Sequence, residues 1–290
     1  MRGILYATLS SVFLASGFVV SKKVLSDLNP ETFIVLWFQF AFLFSGVYAW
    51  ISNKENLVRS FFQSWRPFVA IGVLNAFAAM AFFNAIKLTD PTLVALFNRS
   101  EAIYTVLFGI AILREKLNKI EVVGIVITII GTTMITYNAG GFVFLGLLLV
   151  LASAFFFSLG SIIAKIVVSD ANYVAMVGFR GFFTALGVLL FSLVFRKLEI
   201  PSMGNLAFIL CGAFLGPFLG MGFFYYSLTF IDVSKVAVLR STTPLFVALF
   251  AFLLLGILPE AHQMLGGLIV IIGVSVLTVS HEAPRLPQIE

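Results

Sequence analysis

The chain has 290 residues, 61% of them hydrophobic and only 11% charged, with a mean hydropathy of +1.10. A soluble domain carries about 25% charged residues, so this chain cannot cover a water-facing surface, and its composition implies a polytopic membrane protein. The net charge of +5 is therefore an orientation signal in short loops and not a nucleic-acid signal, and the single cysteine, Cys211, excludes an intrachain disulfide.

A membrane-spanning helix needs about 20 mostly apolar residues. Dividing the apolar runs at their breakers predicts ten spans near 3–24, 31–52, 66–87, 91–113, 119–137, 143–168, 173–195, 205–229, 234–257 and 262–280. The breakers are Asn29-Pro30, Trp65-Arg66-Pro67, Asp90-Pro91, Gly140-Gly141, Pro201 and Pro259. The first run is longer than a signal-peptide core and has an internal duplicate at 144–168, so it reads as a retained helix. The second span carries Trp37 and Gln39, the third Asn75 and Asn84, and the fourth Asn98, Arg99, Glu101 and Tyr104. Arg180 falls in the seventh. The eighth holds Tyr225 and Tyr226 after Gly212, Gly216, Pro217, Gly220 and Gly222, a composition that predicts a bend and a gate, with close packing along the Gly212, Gly216 and Gly220 spacing as the other, compatible reading. The ninth contains Arg240 and then Pro244, which predicts a kink with the same gating role. The fifth and tenth have almost no internal polarity and suit a peripheral place or a homodimer contact. The segment 282–290 reads as a disordered cytoplasmic tail.

The chain is written twice. Gly3, Leu5, Ser10, Phe13, Gly17, Lys22 and Val24 recur 143 residues later as Gly146, Leu148, Ser153, Phe156, Gly160, Lys165 and Val167. Gly124, Ile127, Ile129, Ile130, Gly131 and Thr136 recur as Gly266, Ile269, Ile271, Ile272, Gly273 and Thr278. This divides the chain into a first five-helix repeat, 1–138, and a second, 139–281. An odd number of spans per copy inverts the second relative to the first, the architecture of alternating-access carriers. The other reading is an old duplication kept for its packing. With a cytoplasmic amino terminus, the inner side of the first copy holds Arg2, Lys54, Arg59, Arg66, Arg114, Lys116 and Lys119, against Lys22, Lys23 and Lys87 outside. The second copy is nearly balanced, with Lys165, Lys235 and Arg285 inside and Arg196 and Lys197 outside. Both termini are thus expected in the cytoplasm of a cell with the protein in its cytoplasmic (inner) membrane.

Arg99, Glu101, Arg180 and Arg240 are charges where charge is expensive. Each costs about 2.5–3.5 kcal/mol at a helix centre, so four cost roughly 10 kcal/mol and need a cavity, partner or ligand. Arg99-Ser100 aligns with Arg240-Ser241, and Gln39 with Arg180, at an offset of 141. Arg99 and Arg240 would flank one central site, and the excess positive charge would meet a carboxylate or phosphate on the substrate. Alternatively, Glu101 neutralises one Arg and carbonyls at helix breaks satisfy the rest. Glu101 is the proton-coupling candidate, or else a standing partner of Arg180 or Arg240. Trp37, Gln39, Asn75, Asn84, Asn98, Tyr104 and Tyr225 complete the expected substrate lining. No HExxH, Cys/His ligand spacing, GxSxG elbow or phosphate loop is present, so no metal, cofactor or enzymatic activity is expected.

The end of each copy carries a further pattern: Gly109 to Leu113, Arg114-Glu115-Lys116-Leu117, Gly124 and Gly131 in the first; Pro244, the run to Leu255-Gly256, Glu260, Gly266 and Gly273 in the second. In these residues, the length and the repeat, nearly the whole chain resembles the drug/metabolite transporter superfamily in its ten-helix EamA-type branch. The second copy departs from the pattern with Pro259 before the Glu and a loop three residues shorter. The resemblance implies an all-α membrane protein, basket-shaped, with the fifth and tenth helices outside and a central cavity. It also implies rocking of the third–fourth and eighth–ninth helix pairs, and export of amino acids or related metabolites. Exchange of sugar phosphates or nucleotide sugars is the runner-up. A flippase for lipid-linked intermediates and a non-transporting membrane scaffold remain as rivals.

Overall fold

The computed structural model describes all residues except 1, 53–56, 114–117, 137–140, 168–172, 228–229, 231–235, 237–238, 241 and 281–290. The expected tail, and the loop charges Lys54, Arg114, Lys116, Lys235 and Arg285, lie outside the described residues.

Among the described residues the fold is helical, with no strand. The helices are α1 (Arg2–Leu25), α2 (Pro30–Ser52), α3 (Leu57–Leu88), α4 (Pro91–Phe97), α5 (Glu101–Leu113), α6 (Lys119–Thr136), α7 (Gly141–Val167), α8 (Tyr173–Val194), α9 (Met203–Ala213), α10 (Met221–Ser227), α11 (Thr243–Leu255) and α12 (Ala261–Ser280). A 3₁₀ turn, Asn98–Ser100, separates α4 from α5, and a π-helical stretch, Phe214–Gly220, joins α9 to α10. Among the described residues, six helical stretches are long and apolar enough to cross a membrane: Arg2–Leu25, Pro30–Ser52, Trp65–Leu88, Phe144–Ile163, Val174–Val194 and Met203–Ser227. Shorter apolar helices accompany them at Thr243–Leu255 and Ala261–Val276.

Three local expectations change. Trp65-Arg66-Pro67 does not divide two runs: α3 passes through Pro67, because a proline deletes one backbone hydrogen bond and a long helix keeps the others. The fourth run is not one helix but two, parted at the polar trio Asn98-Arg99-Ser100. Pro244 does not kink a continuous ninth helix; it sits in the first turn of α11, where a missing N–H costs nothing. The eighth run does turn irregular where predicted, the wide π turn accommodating Pro217. The turn after α11 closes on Gly256 in the left-handed region, φ 67°, with Gly256 N–H donating to the Phe252 carbonyl at 3.1 Å and Ile257 N–H to the Ala251 carbonyl at 3.2 Å.

The most extensive helix contacts join α1–α6 to α7–α12. α6 crosses α12, α3 lies against α7 and α8, α2 against α8, and α1 against α11, the π stretch and α10. The main core mixes both sets: Phe33, Trp37, Phe38, Phe83 and Ile86 with Val150, Val188, Ile209 and Val270. The repeated glycines explain the tightest crossing. A Cβ on Gly131 would lie 2.7 Å from the Gly266 carbonyl oxygen, and one on Gly273 2.6 Å from the Thr128 amide nitrogen. Small-residue faces let the two backbones approach, and Ile129, Ile130, Leu268 and Ile272 point outward. At one end, the turn before α2 is clasped to the turn after α8. Lys197 Nζ meets Glu31 Oε1 at 3.0 Å, Asn29 N–H donates to Glu199 Oε2 at 3.1 Å, and Glu199 N–H donates to Thr32 Oγ1 at 2.9 Å.

Candidate functional site

Both interrupted runs place an arginine at the interruption. Asp90 caps α4, its carboxylate accepting from Thr92 N–H at 2.6 Å, and Pro91 fills the first turn. The helix lasts seven residues and gives way to the 3₁₀ turn carrying Arg99. In the other run, Leu239 and Arg240 are helical, Thr242 is in a turn and α11 starts at Thr243. In an unbroken helix the Arg240 carbonyl would accept from the N–H of residue 244. Residue 244 is proline, so that carbonyl is orphaned, a loss of about 1–3 kcal/mol if left bare in the interior.

It is not left bare. Arg99 Nη1 donates to the Arg240 carbonyl at 3.0 Å and Thr243 Oγ1 donates to it at 2.6 Å. Arg99 Nε also donates to the Ala95 carbonyl, at 3.4 Å. The Arg240 guanidinium stacks on the Phe224 ring, 4.1 Å from its centroid, an attraction that strengthens in dry surroundings. Its Nε is buried with no hydrogen-bond partner, as are Asn98 Oδ1 and Ser100 Oγ. Arg240 feels the charges of Glu101 and Arg180 and the Tyr225 hydroxyl, and Arg99 feels Arg240 and Glu101.

Glu101 opens α5. Its backbone carbonyl accepts from Ser158 Oγ and Thr105 Oγ1, both at 2.8 Å, while among the described residues its carboxylate accepts only from Ser161 Oγ, at 3.4 Å. Among the described residues no ion pair joins Glu101 to Arg99, Arg180 or Arg240, and the guanidinium groups of Arg180 and Arg240 have no hydrogen-bond acceptor. All four residues are half-buried within the helical assembly. The cluster therefore presents three cationic groups and one carboxylate with unused donors, an arrangement that can take up an anion by charge-assisted hydrogen bonds.

The remaining expected residues are distributed differently. Tyr225 adjoins Arg240 electrostatically and packs on the Phe68, Ala175, Met176 group. Trp37 is 4% exposed, wedged between Phe33, Phe83 and the bare backbone of Gly212 and Gly216, so its contacts are with the core and not the arginines. Asn75 is spent in a buried 2.8 Å bond to Thr184 Oγ1, and Thr184 Oγ1 donates to the Arg180 carbonyl at 2.7 Å. Asn84 bonds back to the Met80 carbonyl at 2.7 Å. Tyr104 stacks with Phe108 and meets Phe155 edge-on, and Gln39 is half-buried on α2. Gly216, Pro217 and Gly220 form the π stretch, where the Gly220 carbonyl accepts from Ser10 Oγ at 2.7 Å. Phe224, Ser158 and Ser161 were not singled out in the sequence. Phe224 is one of 34 phenylalanines and carries no local signal, whereas two serines three residues apart in an apolar run place two hydroxyls on one face.

A separate groove of about 430 Å³, lined by Ile129, Ile130, Thr133, Met134 and His262, runs along α6 and the start of α12. It is apolar and holds none of the clustered charges. Among the described residues no three His, Cys, Asp or Glu side chains gather to hold a metal.

The sequence pattern of the EamA-like transporter family matches residues 1–137 and again 144–279. A curated "uncharacterized transporter" of Archaeoglobus fulgidus is 24% identical over 94% of this chain and 96% of its own length. An "uncharacterized transporter" of Haemophilus influenzae is 22% identical over 87% of this chain and 83% of its own. One solved crystal structure, 19% identical, superposes with a TM-score of 0.69 over 96% of this chain and 97% of that one, which establishes a shared fold.

Proposed function

The chain belongs to the EamA-like transporter family of the drug/metabolite transporter superfamily, and from that premise we propose that it carries a carboxylate-bearing small metabolite, an amino acid or a close relative, across the cytoplasmic membrane by alternating access. The observation that carries this is the Arg240 guanidinium: braced on Phe224, its Nε buried without an acceptor, beside Arg180 and Glu101. A carboxylate there would accept the unused donors and offset the surplus positive charge. The pairing of opposite-half helices supports two inverted five-helix units with ten spans, and the loop arginines and lysines support cytoplasmic termini. Helices interrupted at the binding charges are a carrier habit. Export is the direction this reading favours, with Glu101 as the proton carrier.

Counterflow in proteoliposomes with a panel of amino acids and phosphorylated metabolites tests it. Accelerated exchange of an amino acid, lost in Arg240→Gln, is the expected result. Exchange of phosphorylated metabolites alone would replace the carboxylate reading with an anion exchanger, which three arginines in one cluster also favour. A membrane scaffold predicts fully paired arginines, and the unpartnered Arg240 Nε weighs against it. No accelerated exchange of any compound in the panel would sink the proposal.

A further inference from the structure

Arg99 and Arg240 occupy equivalent places in the two copies, yet their surroundings are unequal. The Arg240 carbonyl has lost its helical donor because residue 244 is proline; the position that corresponds to Pro244 at the offset of 141 is Ile103, which has an N–H to give. Only one of the two interruptions therefore contains a carbonyl whose helical donor four residues on is missing. Arg99 turns to it, with Nη1 on the Arg240 carbonyl and Nε on the Ala95 carbonyl of its own run. Arg240 makes no reciprocal bond: its guanidinium lies on Phe224 with an unpartnered Nε.

We infer that the two arginines have divided their roles: Arg99 is a positioning residue that pins the interruption before α11 to the one before α5, and Arg240 is the group that binds the anion. This rests on reading the cluster as the substrate site. The pin crosses between the two halves and ends on the very residue whose side chain binds. It fixes where the Arg240 guanidinium sits, and it ties the two interrupted runs so that they move as one body. The carbonyl has a second donor in Thr243 Oγ1, but that hydroxyl belongs to the same turn and cannot hold the turn to the other half. The α4 and α11 helices that flank the pin also share an apolar seam: Ala95 packs with Val247 and Ala251.

A positioning residue and a ligand leave different kinetic traces. Loss of a ligand weakens substrate binding; loss of a pin leaves the ligand in place but disorders the step that moves it. The decisive variant is Pro244→Ala, which restores an N–H at residue 244, lets the Arg240 carbonyl be satisfied within its own helix, and so makes Arg99 dispensable. The experiment uses full-length protein in lipid nanodiscs and proteoliposomes, with variants first checked for monodispersity. Hydrogen–deuterium exchange is read at the Thr242 and Leu245 amides, which bond to the Leu239 and Thr242 carbonyls at 3.3 and 3.0 Å. Arg99→Gln should speed their exchange about tenfold or more, Arg99→Lys less, and Arg240→Gln not at all; adding Pro244→Ala to Arg99→Gln should return exchange to the wild-type rate. In counterflow with whichever panel amino acid the wild type exchanges, Arg240→Gln should raise the half-saturating concentration about tenfold or more. Arg99→Gln should lower the maximal rate at nearly unchanged half-saturation, and Pro244→Ala should restore that rate. The inference is overturned if Arg99→Gln leaves exchange untouched and weakens half-saturation as much as Arg240→Gln, or if Pro244→Ala rescues neither readout. A wild type that exchanges no compound of the panel but shows the expected hydrogen–deuterium pattern would refute the transport reading and the ligand role of Arg240, while the pin would stand on the exchange data.

Discussion

Gly273 offers a direct measure of how tightly α6 and α12 are joined. A methyl group there would lie 2.5 Å from Thr128 Oγ1, 2.6 Å from Thr128 N and 2.9 Å from the Gly124 carbonyl oxygen. Two of those atoms are backbone and cannot rotate aside, so Gly273→Ala must push the helices apart by about 1 Å to restore van der Waals contact near 3.5 Å. Overpacking of this kind costs about 1–3 kcal/mol, against which alanine recovers about 1 kcal/mol of helix propensity over glycine. A net loss of up to about 2 kcal/mol is expected. Gly222 supplies the control, because a Cβ there meets nothing within 4 Å; Gly222→Ala keeps only the propensity gain. Thermal unfolding of the two purified variants in the same nanodisc lipid should place Gly273→Ala below wild type and Gly222→Ala at or above it. Equal stability of the two would mean that α6 and α12 do not cross on their glycines.

Further expectations concern the loops and the charged cluster. In the clasp, Lys197→Met should destabilise more than Glu31→Gln, since it strands a carboxylate whose side chain is only 7% exposed while its partner is 50% exposed; a denaturation midpoint that falls further for Glu31→Gln would contradict this. Burial pushes the Asp90 carboxyl pKa up, against the bonds from Thr92 and Leu93 and the nearby Lys22 that pull it down. A raised folded-state value means its stabilising contribution is complete below the unfolded pKa and lost as pH rises through the folded one. Asp90→Asn, which still caps α4, should therefore flatten that decline, read as melting temperature against pH. Glu101→Gln should keep counterflow but abolish uptake or efflux driven by a pH gradient; an unchanged response to the gradient would remove Glu101 as the proton carrier.

Much of the fold is legible in the residue order because lipid allows few solutions: apolar runs of about 20 residues become helices. The glycines repeated at 124, 131, 266 and 273 mark the two segments as copies of one another, but only the structure shows that they lie against each other. What escapes the sequence is which face of a helix a polar residue occupies. Trp37 and Asn75 resemble cavity lining in a one-dimensional list, yet the indole fills space that glycines vacate and the amide is consumed by Thr184. Arg99, Glu101, Arg180 and Arg240 are conspicuous by their cost alone. The bond from Arg99 to the Arg240 carbonyl is not, because it spans 141 positions and depends on a donor that Pro244 lacks. Pro67 misleads for the opposite reason, since one absent donor is too small a defect to end a 32-residue helix.

The way α1, α2 and α3 find their neighbours in α7, α8, α10 and α11 has a consequence for biogenesis. The amino-terminal helices leave the translocon without the surfaces that will surround them, and must wait in lipid, as separately stable spans, until the carboxy-terminal ones are made. Synthesis arrested midway would yield an inserted but unassembled intermediate, sensitive to quality-control proteases, and not a working half-carrier.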